Sequence, residues 1–310
     1  MHVAVAIVGF RNSGDIIACL GALSRATYAD FEVVICENGG EHSYRSLVAA
    51  LPVRLPGGQP VRTICAAENL GYAGGVNVCV RASPHADAWW ILNPDTVPDS
   101  TALEYLVQRL RAGDCELVGG ILYGTNGRIQ TLGGRWRPWL ARAEAIGRGQ
   151  SADRVPLQSL ERLIDFVSGA SMLVSRRFLD VVGPMREDYF LYCEEVEWCL
   201  RGHAHGMRIA LAPNARVLHH QGSTTGSALP VRRRSWMQVY LDERNKMLVT
   251  RDCFPSHITV AISAALLLLL IRYTRHTAIR QLSFALQGWW AGVTDRRGPP
   301  SIGLRRESNT

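Results

Sequence analysis

Three carboxylates, Glu194, Glu195 and Glu197, fall within four consecutive positions, and a fourth, Asp95, closes the run Trp89-Trp90-Ile91-Leu92-Asn93-Pro94-Asp95. Crowded carboxylates repel one another, so one of them has its pKa raised, which suits a general base working near neutral pH. The Asp95 run has a different character. A short apolar strand entering a rigid Asn-Pro turn aims an oxygen ligand out of the end of a sheet. Mg²⁺ commonly takes one or two such carboxylates and completes its shell with substrate phosphates, although Asn, Pro and Asp are also ordinary turn residues. The segment Asn69-Leu70-Gly71-Tyr72-Ala73-Gly74-Gly75-Val76-Asn77 lets backbone approach a ligand closely and opens a helix whose N-terminus favours anions. Gly71, Gly74 and Gly75 would serve that approach, and Asn69 and Asn77 offer polar contacts. The pair His219-His220 adds imidazoles, which suit a transition metal such as Mn²⁺ when neutral; a lone histidine is as readily structural.

These residues need a scaffold, and the first half of the chain reads as one. Apolar strand patterns at 3–8, 31–36, 61–65 and 88–92 alternate with helical patterns at 15–23, 43–51, 74–82 and 100–112. The last helix turns Leu103, Leu106, Val107 and Leu110 to one face. Strand and helix alternation of this kind predicts a mostly parallel sheet covered on both faces, with ligands held beyond the carboxyl ends of the strands. Those ends carry Gly9-Phe10-Arg11-Asn12, Glu37-Asn38-Gly39-Gly40 and Asn93-Pro94-Asp95, so all three can converge on one crevice. Residues 117–165 are rich in Gly, Arg and Trp and read poorly as regular structure. Tyr123, Trp136 and Trp139 lie there and could stack on a sugar or belong to a satellite core. Strands are expected at 166–175, 209–212 and 216–220, and helices at 176–182 and 193–203. On that last helix Glu194 and Glu197, at i and i+3, read as a solvated face pairing with Arg201.

At 310 residues, 47% of them hydrophobic and 20% charged, the chain can bury one substantial core and carry an appendage. Eight cysteines without a Cys-x-x-Cys pair favour free thiols over disulfides or zinc. The start, Met1-His2-Val3-Ala4-Val5, reads as a first strand rather than a signal peptide. Charge is uneven. Residues 206–310 hold 15 Arg and Lys against 5 Asp and Glu, for +10, whereas residues 1–205 hold 19 against 22, for −3. A basic tail on a slightly acidic body suits an anionic surface. Within it Ile258–Ile271 is apolar apart from Thr259 and Ser263, and is followed by Arg272, Arg275, Arg280 and Trp289-Trp290. Taken as 14 residues, it falls short of the ~20 that span a bilayer, so it reads as a helix on a membrane surface, with a core or oligomer contact as the second reading and a true span as the third. The absence of a helix-turn-helix, zinc-ligand or RNA-binding signature argues against nucleic acid as the partner.

The order of motifs resembles the inverting GT-A-fold glycosyltransferases of family 2, specifically the rhamnosyltransferase-like group. The resembling blocks run from Val3 to about Thr224: Phe10-Arg11-Asn12; Cys36-Glu37-Asn38; Glu68 to Asn77; Leu92-Asn93-Pro94-Asp95; Tyr189-Phe190-Leu191-Tyr192-Cys193-Glu194-Glu195-Val196-Glu197; and His219 with Gly222-Ser223-Thr224. The resemblance implies an α/β GT-A domain over 1–225, its nucleotide-binding half at about 1–115 and its acceptor half at about 116–225, then a basic, apolar helical extension over 226–310. It implies a metal-dependent transfer of a hexosyl group, L-rhamnose from dTDP-L-rhamnose, to a hydroxyl of a cell-surface or lipid-linked glycan at the cytoplasmic face of a bacterial inner membrane. By position Glu195 takes the place of the catalytic Asp. Asp95 and His219 hold the divalent cation, Mg²⁺ or Mn²⁺. Phe10, Arg11, Glu37, Asn69, Gly71, Gly74, Asn77, Asn93 and Asp95 face the donor, and Glu194, Trp136 and Trp139 lie on the acceptor side. The family usually has Asp where this chain has Glu37, Glu195 and Glu197. Two other readings stay open: the same fold with a UDP-hexose or UDP-galactofuranose donor, and a nucleotide-sugar-binding or scaffold protein without catalysis.

Overall fold

The computed structural model describes residues 1–151, 160–220 and 229–300. Its centre is strand β1 (Val3–Gly9), in which all seven residues are buried. A strand enclosed on both faces reads as a continuous apolar run rather than an alternating one. Side chains still alternate across the sheet. Val3, Val5 and Ile7 pack with helices α1 (Ser13–Leu23) and α4 (Ala102–Arg111), whereas Ala6 and Val8 pack with α3 (Gly71–Ala82) and α6 (Glu194–Ala204) on the opposite face. Strand β1 pairs in parallel with β2 (Phe31–Glu37) and with β4 (Ala88–Leu92), and β2 pairs in parallel with β3 (Val61–Cys65). Gly9 stands level with Glu37, so the loops that follow β1, β2 and β4 leave the sheet at one edge.

Beyond β4 the sheet continues through β10 (Ser171–Ser175), β6 (Leu117–Tyr123), β11 (Ile209–His219) and β5 (Thr96–Pro98), in the order β3-β2-β1-β4-β10-β6-β11-β5, with β7 (Ile129–Thr131) paired to β6. Strands β5, β7 and β10 run against the other six, so the sheet is mostly parallel, as expected. A separate hairpin joins β8 (Gly134–Arg137) to β9 (Arg142–Ala145). Helix α2 (Glu41–Ala50) lies between β2 and β3, and α5 (Arg176–Val182) follows β10.

Four expectations need correction. Within the segment that reads poorly as regular structure, residues 117–145 contain β6, a central strand, together with β7, β8 and β9. Gly119 and Gly120 weaken the strand signal of β6, and both are required. A Cβ on Gly119 would lie 2.5 Å from Val167, and one on Gly120 would lie 2.4 Å from the Ala215 carbonyl. The two expected strands at 209–212 and 216–220 form one strand, β11, with an irregularity between Leu211 and Arg216. The C-terminal extension is helical, with α7 (Trp236–Cys253), α8 (Ile258–Arg275) and α9 (Ile279–Val293), yet α7 is no appendage. Its Leu248 and Val249 join the main core with Trp198 and Tyr189. The apolar segment is also longer than 14 residues. With the 3-10 turn Pro255–His257 before α8, the helical stretch covers Pro255–Arg275, 21 residues, which is long and apolar enough to cross a membrane by length and composition, and only 17% of its most apolar stretch is buried.

Candidate active site

The Asn93-Pro94-Asp95 turn leaves β4 and is carried straight into β5, which pairs with the end of β11 so that His219 faces Thr96. That register brings the His219 ring to Asp95: Nε2 lies 3.3 Å from Oδ1, and the His220 amide donates to the Asp95 carbonyl at 3.0 Å. On the other side of the ring, Nδ1 meets Gln130 Oε1 at 3.0 Å, while Gln130 Nε2 donates to the His219 carbonyl at 2.7 Å. A carbonyl oxygen only accepts, so the second bond fixes which way the amide points. Its Oε1 then accepts from Nδ1–H, and the ring turns Nε2 toward Asp95. Among the described residues no cluster of three or more His, Cys, Asp or Glu side chains is arranged to hold a metal ion. The Asp95–His219 pair offers a carboxylate and a ring nitrogen, two of the ligand types that a divalent cation takes. Gln130, which orients the imidazole, has no signal in the sequence.

A cavity of about 560 Å³ opens beside this pair, lined by His219, Gln130, Glu195, Ser168, Arg128 and Arg148 among others. Glu195 and His219 thus border one space, with Asp95 immediately behind the imidazole. Helix α6 enters at Cys193, which has φ 65° and ψ 1°. Glu194, Glu195 and Glu197 fill its first turn, where the helix dipole favours negative charge. Burial pushes the Glu195 carboxyl up, against the pull of the backbone amides of Glu195, Val196 and Gly169. Burial pushes Glu194 well above the ordinary range, with the Glu195 charge adding to the effect. The expectation of a solvated face at Glu194 and Glu197 is corrected. Arg201 does pair with Glu197, Nε to Oε1 at 2.7 Å, but the two glutamates are only 3% and 2% exposed. Glu194 Oε2 is enclosed without a hydrogen-bond partner among the described residues.

The donor-side candidates divide into groups that face the crevice and groups that hold it together. Phe10 and Arg11 are exposed at the end of β1, with Arg11 at φ 56° and its guanidinium 5.2 Å from the Phe10 ring. Glu37 is 1% exposed. Its Oε1 accepts from the amides of Arg11 and Gly39 and from the Ser43 hydroxyl, at 3.0, 2.8 and 3.1 Å, so this carboxylate ties the ends of β1 and β2 together. Its Oε2, like Asn93 Oδ1, is enclosed with no partner among the described residues. Asn69 is exposed, and its Oδ1 accepts from the Gly71 amide at 3.0 Å, a turn that starts α3. Gly71 sits at φ +71°, and Gly74 faces Glu187, 3.7 Å from where its Cβ would be.

Asn77 is a correction. Its amide is turned inward, with Nδ2 donating to the Met185 carbonyl and to Glu187 at 2.9 Å each, and Oδ1 accepting from the Met185 amide at 3.1 Å. It braces α3 against the segment before α6 and does not face a donor. The acceptor-side tryptophans are corrected as well. Trp136 is 2% exposed and belongs to the main core. Trp139 is exposed but stacks edge-on against His257, centroids 4.2 Å apart, on the side of the C-terminal helices. Tyr123 donates to Asp99 at 2.9 Å, outside the cavity that Glu195 lines. Gly222, Ser223 and Thr224 lie outside the described residues.

Comparison with known proteins agrees with this architecture. Residues 2–238 match the family described as glycosyltransferase like family 2. The low-salt glycan biosynthesis hexosyltransferase of Haloferax volcanii is 22% identical over 96% of this chain and 92% of its own length. The N-acetylglucosaminyl-diphospho-decaprenol L-rhamnosyltransferase of Mycobacterium tuberculosis is 29% identical over 67% of this chain and 72% of its own. Among solved structures, S. aureus TarS residues 1–349 align with a TM-score of 0.57 at 12% identity, covering 96% of this chain and 82% of that one. A mannosyltransferase from Pyrobaculum calidifontis in complex with GDP-Man and Mn²⁺ aligns with a TM-score of 0.56 at 14% identity, covering 95% and 88%. At these identities the structural likeness speaks for the fold, which is that of the GT-A glycosyltransferases.

Proposed function

The chain belongs to the glycosyltransferase like family 2, and from that membership we propose that it is an inverting, cation-assisted transferase whose general base is Glu195. It is a glycosyltransferase acting on nucleotide sugars. The favoured donor is dTDP-L-rhamnose, on the strength of the motif order and of the 29% identical L-rhamnosyltransferase from M. tuberculosis; the acceptor is a hydroxyl of a glycan, lipid-linked by the same analogy. The observation that carries the reading is the shared cavity, with Glu195 on one wall and His219, backed by Asp95, on another.

The chemistry follows from what those groups can do. The acceptor hydroxyl gives its proton to Glu195, its oxygen bonds to the anomeric carbon, and the bond from that carbon to the diphosphate oxygen breaks on the opposite face, so configuration inverts. Burial makes Glu195 a stronger base than an exposed glutamate, and the Gly169 amide keeps its carboxylate aimed. A divalent cation, when bound, would neutralise the charge growing on the departing diphosphate. Asp95 supplies a carboxylate for it and His219 a ring nitrogen, with Gln130 holding the ring at the correct tautomer. Phe10 and Arg11, exposed at the end of β1, are the donor-side groups open to the nucleotide and its sugar, with Glu37 holding the loop that carries Arg11.

The same proposal sets the protein on the cytoplasmic face of a membrane. Val260, Leu267, Leu270 and Ile271 form an exposed apolar stripe on α8, and Ile279 and Trp290 of α9 are exposed as well. Arg272, Arg275 and Arg280 flank the stripe, a composition suited to an anionic lipid surface. Trp139 and Leu140, exposed in the turn between β8 and β9, adjoin α8, and Ala143 and Ala145 of the same hairpin line the cavity. A lipid-linked acceptor would thus reach Glu195 along one short hairpin.

A thermal-shift panel of nucleotide sugars, with and without Mn²⁺, tests the donor and the cation together. The expected result is stabilisation by dTDP-L-rhamnose that grows with Mn²⁺ and exceeds that from UDP-hexoses or UDP-galactofuranose. No shift with any nucleotide sugar would overturn the reading. Donor binding without release of nucleotide diphosphate in the presence of acceptor would favour the non-catalytic alternative.

A further inference from the structure

The loop that delivers Glu195 is built from residues in an unfavourable backbone region. Seven non-glycine residues have positive φ among the described residues, and three of them, Phe190 at 68°, Tyr192 at 74° and Cys193 at 65°, fall within four positions directly before α6. Such conformations persist only where the surroundings over-determine them, and they cluster at working sites. The surroundings here come from α7, far along the chain. Asn245 is fully buried, and its Nδ2 lies 3.0, 2.9 and 2.7 Å from the carbonyls of Tyr189, Leu191 and Tyr192. Its Oδ1 accepts from Arg244 Nε at 2.8 Å. A guanidinium only donates, so this bond sets the amide orientation and turns the NH₂ group toward the three carbonyls. Arg244, itself 1% exposed, adds a bond from Nη2 to the Tyr189 carbonyl at 2.8 Å and one from Nη1 to the Gly298 carbonyl at 2.6 Å. The Phe190 carbonyl accepts from the Tyr72 amide at 2.7 Å, and that of Cys193 from the Glu197 amide at 3.0 Å.

We propose that Arg244 and Asn245 are positioning residues for the transfer: they clamp the 189–193 loop so that Glu195 faces the cavity, and the loop through Phe190 keeps register with the Gly71–Tyr72 turn on the donor side. The clamp assigns a role in catalysis to a helix that the motif order treats as part of an extension. It rests on the reading of Glu195 as the general base. Two enclosed polar side chains of α7 thus serve the carbonyls of Tyr189, Leu191 and Tyr192, and burying such groups costs stability unless their polar atoms are paired.

A double-mutant cycle on the full chain tests this, with Asn245→Leu and Arg244→Lys each placed in the wild-type and in the Glu195→Gln background. Leucine keeps the volume of Asn245 without its donors, and lysine keeps the charge of Arg244 without the fork that sets the amide. Each should lower kcat about 100-fold, the effect expected of a catalytic group moved by about 1 Å, with donor KM within about twofold. In the Glu195→Gln background, followed by single-turnover transfer, either change should cost nothing further, because the group being positioned is gone. Unchanged kcat, or equal losses in both backgrounds, would overturn the clamp. Loss of donor binding in both variants would overturn it too, by making the pair a support of the whole fold. Full turnover in Glu195→Gln alone would instead sink the base assignment.

Discussion

Replacing Gly71 with alanine perturbs the contact between the donor-side turn and the Glu195 loop. Gly71 sits at φ +71°, and a Cβ added there would lie 2.1 Å from the Phe190 carbonyl oxygen and 2.8 Å from its carbon. Two costs follow. An alanine in the left-handed region costs about 1–2 kcal/mol, and moving the Phe190 carbonyl loosens the 2.7 Å bond from the Tyr72 amide, worth about 1 kcal/mol. Stability should therefore fall by about 2–3 kcal/mol, the sum of those two terms. Phe190 has little freedom to yield, since its neighbours on either side are held by Arg244 and Asn245. The displacement should pass along residues 190–193 to Glu195, lowering kcat by about 100-fold for a shift near 1 Å. Urea unfolding gives the first number, and initial rates at saturating donor give the second. A variant less than about 0.5 kcal/mol down with full kcat would refute the rigid coupling, because it would mean the two turns slide past each other at no cost.

Three further outcomes follow from the same geometry. Burial holds the Glu194 proton in the folded chain above the range in which the unfolded chain releases it. The folded state then binds more protons, and stability falls as pH rises through that window, by up to about 1.4 kcal/mol per unit. Glu194→Gln cannot ionise, so its melting temperature should gain on the wild type as pH goes from 5 to 8, and a constant gap would contradict the assignment. Asn77→Leu leaves the Met185 amide and carbonyl unpaired, so it should cost about 2–6 kcal/mol, at about 1–3 kcal/mol for each of the two stranded groups, while donor KM stays unchanged; a rise in donor KM with stability intact would return Asn77 to the donor side. Leu267→Glu combined with Ile271→Glu puts charge on the exposed stripe of α8 and should abolish flotation with anionic liposomes without altering the melting temperature, whereas undiminished flotation would remove α8 as the lipid contact.

Much of this site was legible in the sequence because its parts lie at strand ends. The runs Val3–Val8 and Ala88–Leu92 are apolar throughout, Phe31–Cys36 is apolar apart from Glu32, and parallel pairing sets their ends level, so the residues that follow them meet. Register between distant strands was not legible. His219 reaches Asp95 through the pairing of β11 with β5, and Gln130 joins them from a segment whose glycines mask its strands. Burial defeated the reading of individual side chains. Asn77, Trp136 and Glu194 carry the residue types of a binding site, yet each is enclosed. Helix α7 misled for a related reason. With Gln238, Glu243, Arg244 and Asn245 all buried, it has no apolar stripe to announce which face is inward, and its polar residues look like a solvated surface until the carbonyls they serve are in place.

The claim on which the account rests is that Glu195 takes the proton of the acceptor hydroxyl in the transfer step. Single-turnover transfer by Glu195→Gln, with donor affinity measured on the same preparation, tests it most directly. The account predicts a loss of about 10²–10⁴-fold, the usual contribution of a general base, with donor affinity within about twofold of the wild type. Transfer within about tenfold of the wild-type rate, well inside what a positioned base contributes, would contradict it.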